Sequence, residues 1–188
     1  MTKVFSFGPT PLANAFLKPE QIYQPEYLFP LDVHFCHDCT MLQLRDIISP
    51  EYMFKDYVYV SSTSPVFVGH FEEYARDVVQ RFKLGKNSLV IDIGSNDSTL
   101  LRGYPAVGLM LIGVDPLGEK MRKYYPPHIH LISDFFSKKA VERHFGSRKA
   151  RVITSIAMFY DLERPMEFMR QIYDLLADDG VWVFEQSY

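Results

Sequence analysis

Between Leu89 and Leu101 the chain reads LVIDIGSNDSTLL, an apolar run that ends in one glycine, a cluster of short polar side chains, and then leucines. A strand, a tight polar turn and a helix start, in that order, make a place where small ligands are held. A nicotinamide or flavin dinucleotide would want G-x-G-x-x-G there, because the later glycines admit a pyrophosphate against the backbone. Only Gly94 is present. Asn96 stands where the second glycine would be, and Asp97 sets a negative charge where the pyrophosphate would lie. S-adenosylmethionine suits the turn better: it has no phosphate, carries a sulfonium cation, and offers an amino-acid end and a ribose diol to polar groups. Gly94, Ser95, Asn96 and Asp97 are therefore candidate cofactor contacts.

Further candidates stand at the ends of the other apolar runs. LMLIGVD ends in Asp115, followed by Pro116 and lying 23 residues after Asp92, near the interval of about 20 at which an acid accepts hydrogen bonds from the ribose hydroxyls. A third run ends in Ser133-Asp134-Phe135, a polar group and an aromatic ring suited to the edge and face of adenine. A fourth ends in Ala157-Met158-Phe159-Tyr160, expected over the methionine portion. Singly, these residues have plainer readings: Gly94 as a turn glycine, Asp134 as a helix cap, Ala157 to Tyr160 as core. Asp92 and Asp115 are harder to explain away, since two acids at the tips of neighbouring strands share one crevice.

These positions require a scaffold of alternating strands and helices. Strand candidates are SLVIDIG, LMLIGVD, IHLIS, RVITSIAMF and VWVFEQ. Helix candidates are the stretch from Thr99, Gly118 to Tyr125, Ser137 to Phe145, and Pro165 to Leu176; Pro105 shortens the first, and Pro126-Pro127 stops the second. Such alternation means parallel strands joined by crossovers. Upstream, Phe67, Phe71, Tyr74, Val78 and Phe82 fall at helical spacing behind the caps Ser61 to Ser64. Residues 1–50 show no sustained period and carry six prolines, which predicts a small irregular module.

Composition narrows the class. The chain has 188 residues, 47% of them hydrophobic and 15% aromatic, with 20 basic and 23 acidic residues giving a net charge of -3. Its length suits one main domain with a small appended module. The charges are dispersed, so neither nucleic acid nor an anionic membrane is an expected partner, and small molecules are. The start lacks a signal-peptide layout, and no run reaches the about 18 apolar residues of a membrane span, which predicts the cytoplasm. The two cysteines, Cys36 and Cys39, are too close for an extracellular disulfide framework.

PLANAFL, FPLDVHFCHDCTMLQL, MFKDYVYVSSTS, IDIGSND, GVDP, DFF and VWVFEQSY, in that order, resemble the sugar C-methyltransferases of antibiotic and cell-surface sugar pathways. The resemblance spans nearly the whole chain. It implies an N-terminal zinc-binding module, a class I S-adenosylmethionine-binding domain, and methyl transfer to the ring carbon beside the keto group of a nucleotide-linked deoxysugar. It also places Tyr57, Tyr59 and Ser62 at the cofactor and substrate cleft. Three departures stand out. Ser98 replaces a glycine that the family turn, SNDGT, usually carries; only the second of two C-x-x-C pairs is present; and the family's presumed catalytic Tyr and His follow an E-x-x-Y strand end beyond Tyr188. The resemblance thus implies a piece of a longer enzyme, truncated at both ends and lacking its base.

The expected fold is a Rossmann-like, doubly wound, mainly parallel α/β sheet of order 3-2-1-4-5. Its expected divisions are 1–50, a partial zinc-binding-like module; 51–85, a cleft-covering segment and helix; and 86–188, the cofactor domain. Tetrahedral zinc needs four ligands; Cys36 and Cys39 supply two, with His34 and His37 beside them, so a mixed site and a plain reduced thiol pair both stay open. C-methylation requires a base for the proton α to the ketone. His70 and Tyr59 are weak candidates, with Glu185 and Tyr188 at the fifth strand's end. A second function class is also open: a non-catalytic cofactor-binding or assembly module that works with a partner chain, or a second copy, at the exposed edge of the fifth strand.

Overall fold

The computed structural model describes residues 1–54, 57–105 and 108–186. They fall into two units, Met1–Val58 and Tyr59–Tyr188, so the stretch 51–85 is shared between them.

The second unit is built on Leu89–Ile93 (β4), every residue of which is buried. Alternate side chains serve opposite faces. Leu89, Ile91 and Ile93 join one core cluster with Ile153, Phe168 and Ile172, while Val90 joins another with Phe71, Ala75 and Val78. A strand covered on both faces reads as a continuous apolar run. Around β4 lie Met110–Val114 (β5), Ile129–Ile132 (β6), Ala150–Ile156 (β7) and Leu176–Glu185 (β8), all parallel, in spatial order β6-β5-β4-β7-β8. That is the 3-2-1-4-5 order expected. The chain turns one way from β4 to β5 and the other way to β7, so the crevice lies at the carboxyl end of β4.

The helices follow their sequence signals closely. Pro65–Arg81 (α2) opens at Ser64, whose side chain accepts from the Phe67 amide, and buries Phe71, Ala75 and Val78. Thr99–Arg102 (α3) is a single turn. Gly118–Met121 (α4) continues as a 3-10 turn to Tyr124, stopping before the two prolines. Lys138–Phe145 (α5) is capped by Ser137, whose side chain accepts from the Ala140 amide. Asp134 is thus not the cap of that helix. Pro165–Leu175 (α6) runs directly into β8 without a loop, and the expected strand over 157–159 is a bend and a 3-10 turn.

The first unit is more ordered than its lack of period suggests. Thr2–Thr10 (β1), Phe29–Phe35 (β2) and Leu42–Leu44 (β3) form a three-stranded antiparallel sheet, and Pro50–Phe54 (α1) closes the unit's described helix content. Register shifts between Lys3 and Phe5 and between Ser6 and Pro9 break the alternation of β1, and most of its residues are exposed. A strand with bulges and no buried face carries no two-residue period.

Candidate functional site

The turn after β4 is held by long-range hydrogen bonds. Gly94 adopts φ +72, and its amide donates to the Val114 carbonyl at 2.9 Å. Ser95 Oγ lies 2.8 Å from the Tyr125 hydroxyl, which donates to the Asn96 carbonyl at 2.9 Å. Gly113 makes room for this, since a Cβ there would stand 2.6 Å from Ser95 Oγ. Asn96 and Ser98 both take left-handed backbone, φ +47 and +62. Asparagine tolerates that region; serine is disfavoured by roughly 1 kcal/mol. Ser98 Oγ donates to the Tyr124 carbonyl at 3.0 Å, a bond that a glycine could not make.

Asp115, at the tip of β5, meets this turn. Its Oδ2 accepts from the Asn96 amide at 2.8 Å and its Oδ1 from the Leu117 amide at 2.7 Å. Burial pushes its carboxyl above the usual range, and the two amides pull against that shift. Each oxygen keeps a second lone pair, so the carboxylate is fixed in place without being used up.

A short strap, Tyr59 to Ser64, lies against the same turn. Asn96 Oδ1 accepts from the Ser61 amide at 3.1 Å, and Asn96 Nδ2 donates to the Tyr59 carbonyl at 2.9 Å. Asp97, with 0% of its surface exposed, accepts from the Ser62 amide at 3.1 Å and from Thr99 Oγ1 at 2.6 Å. Arg102 Nη2 stands 3.5 Å from its Oδ2. The turn residues, Asp115 and Ser62 are thus brought together around one crevice.

Asp92 faces the opposite way from Ile91 and Ile93, toward α2. Thr154, its register partner on β7, donates to its Oδ1 at 2.6 Å. Burial, and secondarily the Asp115 charge, push its carboxyl up to about 7, while the Thr154 bond opposes them. The hydroxyls of Tyr74 and Tyr104 are buried with no hydrogen-bond partner among the described residues. Burial and the Asp92 charge raise both phenols above their ordinary range.

The remaining candidates sit around this centre. A Cβ on Gly94 would be 3.5 Å from Met158 Cγ, so Met158 overlies the turn glycine. Ala157, at φ +50, donates its amide to the Glu185 carbonyl at 2.7 Å and so ties the tips of β7 and β8. Phe159 belongs instead to an aromatic cluster with Phe168, Trp182 and Phe184. Pro116 is half-buried beside Asp115. Asp134 accepts from the Phe135 amide at 2.8 Å, and both residues are exposed at the tip of β6. His70 Nε2 lies 2.7 Å from Glu185 Oε2, joining α2 to the end of β8. Tyr59 contributes its carbonyl to Asn96, and the residue is 42% exposed. Tyr57 belongs to the first unit, its ring edge-on to Phe54 at 5.8 Å. Tyr188 lies outside the described residues.

In the first unit, Cys36 and Cys39 occupy the turn between β2 and β3. The Thr40 amide donates to the Cys36 carbonyl at 2.9 Å, and the Cys36 amide to the Met41 carbonyl at 3.0 Å. The amides of Cys39 and Asp38, together with the Cys39 side chain, hold the Cys36 thiol below its ordinary range. That is an arrangement suited to a metal-bound thiolate. His37 is not turned to it: Nε2 pairs with Thr2 Oγ1 at 2.8 Å. His34 is buried, with Nδ1 3.4 Å from the Asp32 carbonyl. Among the described residues no group of three or more His, Cys, Asp or Glu is placed to hold a metal ion. The hairpin fits zinc as half of a tetrahedral site, and the mixed Cys/His site is not assembled.

Sequence reasoning missed Tyr125 and Thr154, which brace Ser95 and Asp92, and the amides of Ser61 and Ser62. Backbone donors carry no residue-type signal. Register would have pointed to Thr154, since it stands opposite Asp92 once the strands are aligned.

Comparison with known proteins is consistent with this architecture. Residues 1–54 match a family model described as "Putative zinc binding domain", and residues 67–187 match one described as "Methyltransferase domain". The C-methyltransferase NovU of Streptomyces niveus is 31% identical over 98% of this chain, and the chain spans only 44% of that relative's length. Among solved structures, the plantazolicin methyltransferase BpumL in complex with a pentazolic desmethylPZN analogue and S-adenosylhomocysteine is similar at a TM-score of 0.52 and 18% identity, covering 67% of this chain and 49% of that one. Its complex with a triazolic analogue gives a TM-score of 0.52 and 17% identity, with 66% and 49% covered. These likenesses concern the fold. No helix among the described residues is long and apolar enough to cross a membrane. With the family model covering well over half of its residues, the chain belongs to the methyltransferase-domain family.

Proposed function

We propose that the protein binds S-adenosylmethionine in the crevice at the tips of β4 and β5 and methylates a carbon of a nucleotide-linked keto-deoxysugar. The observation that carries the cofactor assignment is Asp115: its carboxylate is pinned at the mouth of the crevice by the Asn96 and Leu117 amides, with lone pairs left for two ribose hydroxyls. Gly94 and Ser95 give the backbone turn around the amino-acid end. Asp92, Asn96, Asp97, Pro116, Ala157, Met158 and Ser62 complete the proposed cofactor surroundings, and Asp134 and Phe135 offer adenine an acceptor and a ring. Bound there, the sulfonium supplies an electrophilic methyl group. The sugar class rests on the likeness to NovU, a C-methyltransferase, and on the ordered segments that resemble the sugar C-methylating family. We assign the α-proton abstraction to no residue of this stretch; His70, paired with Glu185 at the carboxyl end of β8, and Tyr59 stay candidates. Cys36 and Cys39 would hold zinc as two of its four ligands.

Titration calorimetry with S-adenosylhomocysteine tests the cofactor assignment. Micromolar binding is expected, with a fall of tenfold or more in Asp115→Asn; a folded protein that does not bind overturns it. Methyl transfer to keto-sugar nucleotides then tests the acceptor class. A second reading, a non-catalytic cofactor-binding or assembly module that works with a partner chain, is favoured by β8, which among the described residues pairs only with β7. Binding without turnover, with turnover restored by an added chain, would select it.

A further inference from the structure

Asn96 and Asp97 occupy the turn where a cofactor is expected, yet the structure uses their side chains elsewhere. Asn96 spends both ends of its amide on the strap, accepting from the Ser61 amide at 3.1 Å and donating to the Tyr59 carbonyl at 2.9 Å. This is the pairing that one strand gives another, supplied by a side chain. Asp97 takes the next amide, Ser62, at 3.1 Å, and its other oxygen accepts from Thr99 Oγ1 at 2.6 Å. With no exposed surface and with Arg102 beside it, that carboxylate has its donors already. The strap residues and the turn residues so joined are 35 to 37 positions apart. The Asn96 amide meanwhile holds Asp115 at 2.8 Å, so one residue connects the strap to the acid assigned to the ribose.

We infer that Asn96 and Asp97 are positioning residues: they latch the strap Tyr59–Ser64 onto the Gly94–Thr99 turn, and the latched strap forms one wall of the cofactor crevice. The inference rests on the cofactor assignment proposed above and refines it. It accounts for two side chains of the cofactor turn that are committed to the strap. It also accounts for Asp97 in a site for a phosphate-free ligand, since its charge is spent on Ser62, Thr99 and Arg102.

The test uses the whole chain and a variant that leaves the turn intact. Asn96→Gly keeps the left-handed backbone and the amide bond to Asp115 while removing both side-chain bonds to the strap. In the cofactor-free protein, amide hydrogen exchange at Ser61 and Ser62 is expected to rise at least tenfold, with β4 amides unchanged. Affinity for S-adenosylhomocysteine is expected to fall about tenfold. Asp97→Asn should weaken affinity alone but add little to Asn96→Gly, because one released strap cannot be released twice. Unchanged affinity with raised exchange overturns the inference, as does a loss of affinity that is additive between the two sites and leaves strap exchange unmoved, which marks direct contact. A folded wild type that binds no S-adenosylhomocysteine overturns the cofactor assignment itself, a failure visible before any variant is made.

Discussion

The cysteine hairpin of the first unit and the Gly94 turn of the second are both tight polar turns at strand ends, but they are finished to different degrees. Around Gly94 nearly every polar group is committed to a partner far away in the chain: Asn96 to Tyr59 and Ser61, Asp97 to Ser62, Asp92 to Thr154, and Ser95 to Tyr125. At the hairpin, Cys36 is braced by its own turn, Cys39 is exposed, and the neighbouring His37 is committed to Thr2. A site tied to several elements is shaped before its ligand arrives. A site tied to itself needs something more to hold it.

The contrast can be broken by substitution. The largest effect is expected at Asp97→Ala, which deletes the acceptor of the Ser62 amide and of Thr99 and leaves Arg102 beside an emptied site; a loss of about 3 kcal/mol should appear in urea unfolding followed at Trp182, the chain's single tryptophan. A loss below about 1 kcal/mol would mean that the turn is not braced through this residue. Asp92→Asn comes next and acts in the opposite direction. The folded carboxyl is raised to about 7 from 3.8, so the folded state holds its proton more tightly than the unfolded chain does. Its stabilisation is complete below pH 3.8 and is lost as pH rises to about 7. Asparagine removes that loss. The variant should match the wild type near pH 3.5 and exceed it by a margin that grows between pH 4 and pH 7 and levels off by pH 8, and parallel stability curves across that range would refute the assignment of the shift to Asp92.

Smaller effects sharpen the comparison. Replacing Ser98 removes the Tyr124 bond whichever residue replaces it, but only glycine also relieves the left-handed backbone. Ser98→Ala should therefore be less stable than Ser98→Gly by about 1 kcal/mol. At the hairpin, Cys36→Ser and Cys39→Ser are expected to leave Trp182-detected unfolding within about 0.5 kcal/mol of the wild type, while removing any zinc that copurifies. A comparable loss from these changes would mean that the hairpin supports the second unit.

Much of the second unit was legible in the sequence because its strands are buried on both faces and its helices carry caps. LVIDI and LIGV could hardly be anything else between polar turns, and Ser64, Ser137 and the prolines mark helix ends. The order of the strands was legible as well, from alternation and from the resemblance. What was not legible falls into two kinds. The sheet of the first unit was hidden because β1 is bulged and exposed, so its backbone pairs without a side-chain period. The strap's attachment was hidden because its donors are main-chain amides, and because Asn96 and Asp97, judged by residue type alone, suit a ligand as well as they suit the Ser61 and Ser62 amides. Gly94, read as the turn glycine, does take positive φ; that Ser98 does so too was masked by its place before a helix.

The central position of β4 also bears on how the protein is made. Its two neighbours come from different distances: β5 follows within a short crossover, whereas Thr154, which meets Asp92 across the other side, lies 62 residues later. At about 5–20 residues per second of synthesis, a strand whose every residue ends buried waits several seconds on the ribosome with one flank uncovered. For that interval the nascent chain presents the unpaired edge of β4 to its surroundings.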